Sequence, residues 1–222
     1  MAETQVKALI FDFDGLIVDT ETSIYTAWKE LYASQGQELS LSDYVRCVGS
    51  TFAQYNPQSV LEERCAHTIE WEPLLEIKDA RIRVLLEGQP ALPGVAQLLQ
   101  SADEHGIPCA VASSSEASWV KPWLTKLGLL DAFVSICTRC QGHTPKPAPD
   151  LFLSAAKELK VSPADALVFE DSSNGLVAAV AAGVPCWIVP NLVTEGSDFS
   201  AAHRVLGSLE EVHLPSVTAD RR

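Results

Sequence analysis

An alternation constrains this chain more than any other feature. Short apolar runs trade places with helical stretches over most of its length. The runs are VKALIFDF (6–13), IPCAVAS (107–113), FVSIC (133–137), ALVFE (166–170) and PCWIV (185–189). Each is apolar or β-branched and too brief for a helix. Helical patterns at 94–105, 116–127, 150–160 and 174–182 separate the later runs. Gly106, Gly128 and Gly183 stand where glycines close helices. Near-continuous apolar strands between helices predict an α/β fold, a parallel sheet covered by helices on both faces. HRVL (203–206) would add a last edge strand. Pro122 falls inside the 116–127 helix, where an interior proline costs about 3 kcal/mol, so a kink or a restart at Lys121 is expected.

The segment 20–88 breaks the alternation and contains no convincing strand. Ile24, Ala27, Trp28, Leu31 and Tyr32 recur at helical spacing. Asn56-Pro57 reads as a cap followed by a first-turn proline. Pro73 to Glu87 is a further helical run closed by Gly88. The chain therefore divides into a core (1–19 and 89–222) and a helical insert (20–88). GQPALPG (88–94) is the return linker.

Charge narrows the partners. The net charge is −13 and there is no basic cluster, which argues against nucleic-acid or anionic-membrane binding. An anionic substrate would need a local cation. The longest apolar stretch, 176–190, is broken by Gly183 and Pro185 and is too short to span a membrane. The N-terminus lacks a signal-peptide pattern. Six scattered cysteines imply a reducing compartment, the cytoplasm. Cys137 and Cys140 form the one close pair, and His143 alone is thin support for zinc there.

In open parallel sheets, ligands bind beyond the carboxyl ends of the strands. The first run ends in Asp12 and Asp14, the second in Ser113-Ser114-Ser115, and the fourth in Glu170-Asp171. Lys146 lies in KPAPD, just before the helix at 150. Each group alone is ordinary turn or cap chemistry; their joint placement on one rim is not. Asp12 and Asp14 fall on the same side of an extended strand, opposite Phe11 and Phe13. Asp12, Asp14, Glu170 and Asp171 together suit Mg²⁺, a hard cation that takes carboxylate and phosphate oxygens. One carboxylate could then attack phosphorus, while Asp14 protonates the leaving oxygen and later deprotonates water. Lys146, the Ser113 hydroxyl and nearby helix-start N–H groups would neutralise the phosphoryl oxygens.

DFDGLIVDTE, VASSS, KPAPD and EDSSNG, in this order, resemble the four motifs of the haloacid dehalogenase superfamily, and the likeness covers the whole core. The resemblance implies a Rossmann-like core and a mobile, small α-helical cap of the subfamily I type inserted after the first motif. It implies Asp12 as nucleophile and Asp14 as general acid/base. Ser113, Ser114 and Lys146 would bind phosphate. Asp12, Asp14 (through its main-chain carbonyl), Glu170 and Asp171 would form the Mg²⁺ site. Asp14 argues against dehalogenation, because the dehalogenases lack that second aspartate. The expected activity is a Mg²⁺-dependent phosphatase acting through an aspartyl-phosphate on a small phosphorylated metabolite, such as a sugar phosphate, as a monomer.

Two other readings compete. A phosphomutase like β-phosphoglucomutase shares the core and cap, but it carries a histidine where Ile24 stands and an arginine in the cap turn that VGSTFAQY (48–55) lacks. A non-catalytic binding module on this fold would have lost a carboxylate or the lysine, and all are present. Tyr25, Trp28, Tyr44, Arg46, Tyr55 and Trp71 either shape the pocket or pack the cap's own core.

Overall fold

The computed structural model describes residues 4–50, 55–139, 142–214 and 218–219. Among the described residues eight strands form, in chain order: β1 (Thr4–Gln5), β2 (Ala8–Phe11), β3 (Cys109–Ser113), β4 (Ser135–Thr138), β5 (Ala166–Glu170), β6 (Cys186–Ile188), β7 (Arg204–Val205) and β8 (Thr218–Ala219). Six of them make one sheet in the order β4-β3-β2-β5-β6-β7, parallel throughout. β1 and β8 pair separately and antiparallel. The chain leaves β2 toward β3 and β4, then returns to place β5 on the other side of β2. That reversal opens a crevice at the carboxyl ends of the central strands.

The alternation of side chains along the strands explains why both faces are covered. Leu9 and Phe11 enter one apolar cluster with α5 (Val95–Glu104) and α6 (Ala117–Lys126). Ala8 and Ile10 enter the other with α7 (Asp150–Glu158) and α8 (Ser173–Ala182). α6 runs as one helix through Pro122, without a restart at Lys121. At about 25 cal/mol per Å², two fully covered faces supply the apolar burial that a 222-residue chain needs.

The segment after β2 is helical, as its periodicity predicts: α1 (Thr20–Ser34), α2 (Leu41–Tyr44), α3 (Pro57–Arg64) and α4 (Trp71–Leu85). Asn56 caps α3 by accepting from the N–H groups of Gln58 and Ser59. These helices form a small α-helical cap with its own core, built on Trp28, Leu31, Tyr32, Tyr44 and Leu61. Tyr25, Tyr55 and Trp71 belong to that core, and Arg46 lies over the Tyr55 ring. Of the six aromatic and basic cap residues, Trp28 and Tyr44 reach the cavity described below. Among the described residues, no helix is long and apolar enough to cross a membrane. Cys137 is buried against the Ser135 and Ser154 hydroxyls, and Cys140 lies outside the described residues.

Candidate active site

β2 ends at Phe11, although the sequence pattern runs on to Phe13. Asp12 keeps one ladder bond, from its N–H to the Phe169 carbonyl, and then the chain turns. Gly15 makes that turn at φ +78°, and a Cβ there would collide with Asp171 and Asn191. The turn separates the two aspartates that an extended strand would have kept alike.

Asp12 is buried, and its Oδ1 accepts from the Lys146 ammonium. Lys146 is 1% exposed and donates also to Glu170 Oε1 at 2.6 Å. Glu170 is fully engaged: its Oε2 accepts from the N–H groups of Asp171 and Ser172, both at 2.9 Å, and from the Ser172 hydroxyl at 3.0 Å. Glu170 thus fastens the turn after β5 and anchors the lysine. Asp171 Oδ2 accepts from the Asn191 amide at 2.7 Å, while its buried Oδ1 has no protein partner.

Asp12, Glu170 and Asp171 each offer an oxygen within 4.8 Å of the others, the one such cluster among the described residues. Three buried carboxylates face one ammonium there. Burial pushes the Asp12 carboxyl up to about 8, with Lys146 opposing and Glu170 adding to the shift. Burial, then Glu170 and Asp12, hold Asp171 well above its ordinary value. Burial would lower the Lys146 ammonium, but the Asp12 and Glu170 charges outweigh it and hold it above its usual range. An all-oxygen donor set, excess negative charge and the unpartnered Asp171 Oδ1 fit a divalent cation.

The Asp14 carboxylate lies outside that cluster. Its Oδ1 accepts from the Thr20 hydroxyl and the Trp119 indole N–H, each at 2.9 Å, and its Oδ2 from the Ser115 hydroxyl at 2.6 Å. Asp12 and Asp14 both line a cavity of about 640 Å³ between core and cap. Ser113 at the end of β3 and Ser114 and Ser115 in the turn after it line it from the core, and Glu21, Ile24, Trp28, Tyr44, Lys78 and Arg83 from the cap. The two serines expected at phosphate differ in their ties. Ser113 Oγ accepts from the Ser115 N–H, while Ser114 Oγ donates to the Gly49 carbonyl and accepts from the Lys146 N–H. Ser114 therefore joins cap to core. Ser50 donates to the Lys146 carbonyl at 2.6 Å and Asn174 to the Val48 carbonyl at 2.8 Å, seating the same cap turn.

These observations decide the family. A sequence model of haloacid dehalogenase-like hydrolases matches residues 9–189. The chain belongs to the haloacid dehalogenase-like hydrolase family. YhcW of Bacillus subtilis (strain 168), a phosphatase by name, is 42% identical over 209 residues, 94% of each chain. Fructose-1-phosphate phosphatase YqaB of Escherichia coli (strain K12) is 33% identical over 79% of this chain and 92% of its own. The crystal structure of β-phosphoglucomutase from Clostridium difficile superposes with a TM-score of 0.75 at 26% identity, covering 94% of both chains. This hydrolase thus has the Rossmann-like core and small helical cap that its motifs imply.

Several participants have no place among the motif residues singled out from sequence. Thr20 and Trp119 hold Asp14, and Asn191 holds Asp171. Asn191 was within reach, because it follows the run 185–189 at the same rim. Glu21 gave no signal beyond adjacency to Asp-Thr. It is buried in the cavity wall, and burial, with the Asp14 and Asp12 charges, pushes its carboxyl up to about 8. A folded value above the unfolded one of about 4.5 means that Glu21 destabilises progressively as pH rises between those values. Glu21→Gln is expected to raise the melting temperature relative to wild type at pH 8 and to change it little at pH 5, read by circular dichroism in the same buffer.

Proposed function

We propose that this hydrolase is a Mg²⁺-dependent phosphatase for small phosphate monoesters, sugar phosphates among them, working through an aspartyl-phosphate on Asp12. The observation that carries the reading is the division of the site into two carboxylates in unlike settings. Asp12 sits in the lysine-bound, cation-fitting cluster, and Asp14 sits across the cavity held by three donors. Unlike settings are what a nucleophile and an acid/base require of two like groups.

In this reading Asp12 attacks phosphorus and the ester P–O bond breaks, with Asp14 giving its proton to the departing oxygen. Asp14 then takes a proton from water, the water oxygen attacks phosphorus, and the bond to Asp12 breaks, releasing phosphate. Ser113 and Lys146 hold phosphoryl oxygens, and the seated cap excludes bulk water. Asp12, Asp171 and the Asp14 main-chain carbonyl would hold Mg²⁺, with Glu170 supporting through Lys146. When bound, the ion supplies positive charge against the phosphoryl oxygens. The core would comprise 1–19 and 89–222 and the cap 20–88. Cys47, Cys65, Cys109, Cys137 and Cys186 are free thiols, which supports a cytoplasmic setting.

The mutase reading finds less support. Ile24 lines the cavity where the mutases carry a histidine, and no imidazole is among the described residues that line it. Turnover of p-nitrophenyl phosphate with Mg²⁺ tests the proposal, followed by a panel of phosphorylated metabolites. Chelation with EDTA is expected to cut the rate by at least about a hundredfold, and readdition of Mg²⁺ to restore it. Full activity after exhaustive chelation, or faster hexose 1-phosphate to 6-phosphate conversion than phosphate release, would refute it.

A further inference from the structure

The proposed mechanism leaves one contact unexplained. Trp119 sits on α6 of the core, yet its indole N–H ends on Asp14 Oδ1 at 2.9 Å. Its ring is half-buried between two apolar clusters. On one side are the core residues packed beneath α6. On the other are Ile24 and Ala27 of α1 with Ile82 of α4 and Leu86 just after it, all from the cap. Trp123, one turn on, packs edge-on at 6.2 Å between centroids and joins both clusters.

The three donors around Asp14 are not equivalent. Thr20 and Ser115 present hydroxyls, which rotate and can either donate or accept. The indole N–H can only donate. An oxygen facing it is held as an acceptor, so the exchangeable proton of Asp14 belongs on Oδ2. There the Ser115 hydroxyl at 2.6 Å can reverse its own sense as the proton comes and goes.

We propose that Trp119 is a positioning residue that holds Asp14 Oδ1 as an acceptor and so presents Oδ2 as the proton-carrying oxygen toward the leaving group. Because the same ring is wedged against α1 and α4, the orientation of Asp14 depends on the cap being seated. The inference rests on the phosphatase reading and adds to it a residue outside the four motifs.

Leaving-group dependence tests it. Substituted aryl phosphates have nearly one shape but differ in how much they need a proton on departure. p-Nitrophenyl phosphate needs it little, and p-methoxyphenyl phosphate needs it more. Trp119→Phe keeps a packed ring and removes the N–H. The expected result is a fall in kcat/KM about tenfold larger for the p-methoxy ester than for the p-nitro ester, with kcat carrying the loss and KM moving less than about twofold. Where the smaller ring lowers the melting temperature, benzothienylalanine at position 119 replaces N–H by sulfur at nearly constant shape and should give the same divergence. Equal losses on both esters, or none, overturn the proposal, since packing alone would scale both alike. A wild-type protein that hydrolyses neither ester refutes the phosphatase reading itself, which keeps the two failures apart.

Discussion

Asp12→Asn is expected to remove turnover of p-nitrophenyl phosphate by at least about a thousandfold in kcat, without unfolding the protein. The amide keeps the shape of the carboxylate and an oxygen to accept from Lys146, so the local packing survives. It cannot form the phosphate anhydride, and loss of a covalent nucleophile is among the largest single effects known in enzymes. Stability should move the other way. Asp12 is one of three buried carboxylates opposed by one ammonium, and burial pushes it up to about 8. With the folded value above the unfolded one of 3.8, its ionised form costs stability increasingly as pH rises between the two. In EDTA at pH 8 the asparagine variant should therefore melt no lower than wild type. An inactive variant that melts normally is the signature of a nucleophile. Retention of more than a few per cent of the activity would reassign the role to another group.

The frame of the fold was legible because its signals are local and redundant. The 166–170 run coincides with β5, and every predicted helix of the core appears within two residues. Strand ends were harder. VKALIFDF reads as eight extended residues, but Gly15 turns the chain back and β2 stops at Phe11. That difference has chemical weight. A longer strand would have left Asp12 and Asp14 as near-equivalent neighbours, whereas the turn sends one into the lysine cluster and the other toward α1 and α6.

Within the site, residue types at strand ends pointed to groups that the fold brings to one rim, but hydrogen-bond direction was not readable. Glu170 as a candidate ligand and Glu170 as an anchor for Lys146 and the 171–172 turn look alike in sequence. The structure gives both its oxygens protein donors and also sets one of them in the cluster with Asp12 and Asp171. Ser113 and Ser114 look interchangeable until the cap turn at Gly49 claims Ser114. Gly49 itself, at φ +72°, lies so close to Ser172 that a Cβ would not fit. Contacts of this kind join residues far apart in the chain, and no local pattern encodes them.

Lys146→Met should be the most destabilising single change in the site, and its cost should grow with pH. Methionine matches most of the lysine's length but removes the charge that sits between Asp12 and Glu170 and over the Phe152 ring. Breaking a buried ion pair from one side costs about 3–5 kcal/mol. For a chain of this size that is roughly 10 °C in melting temperature. The sign of the pH effect follows from the carboxyls left behind. Without the ammonium, Asp12 loses its main opposing charge, so its folded value rises further above the unfolded one. Stability is then full only near the acidic end, where the carboxyls are protonated in both states, and drains away as pH rises. The gap between wild type and variant should stay level up to about pH 7, where both folded proteins keep Asp12 protonated, and widen from there to about pH 9.5 as wild-type Asp12 ionises beside the ammonium and the variant's cannot, measured by thermal melts in EDTA. Activity should fall by about a hundredfold or more at every pH, because protonating a carboxyl relieves repulsion without replacing a donor to the phosphoryl oxygens. A gap that stays constant across that range would mean that Lys146 stabilises through packing alone. Charge compensation makes the opposite demand, that removing the one cation and titrating the anions be coupled.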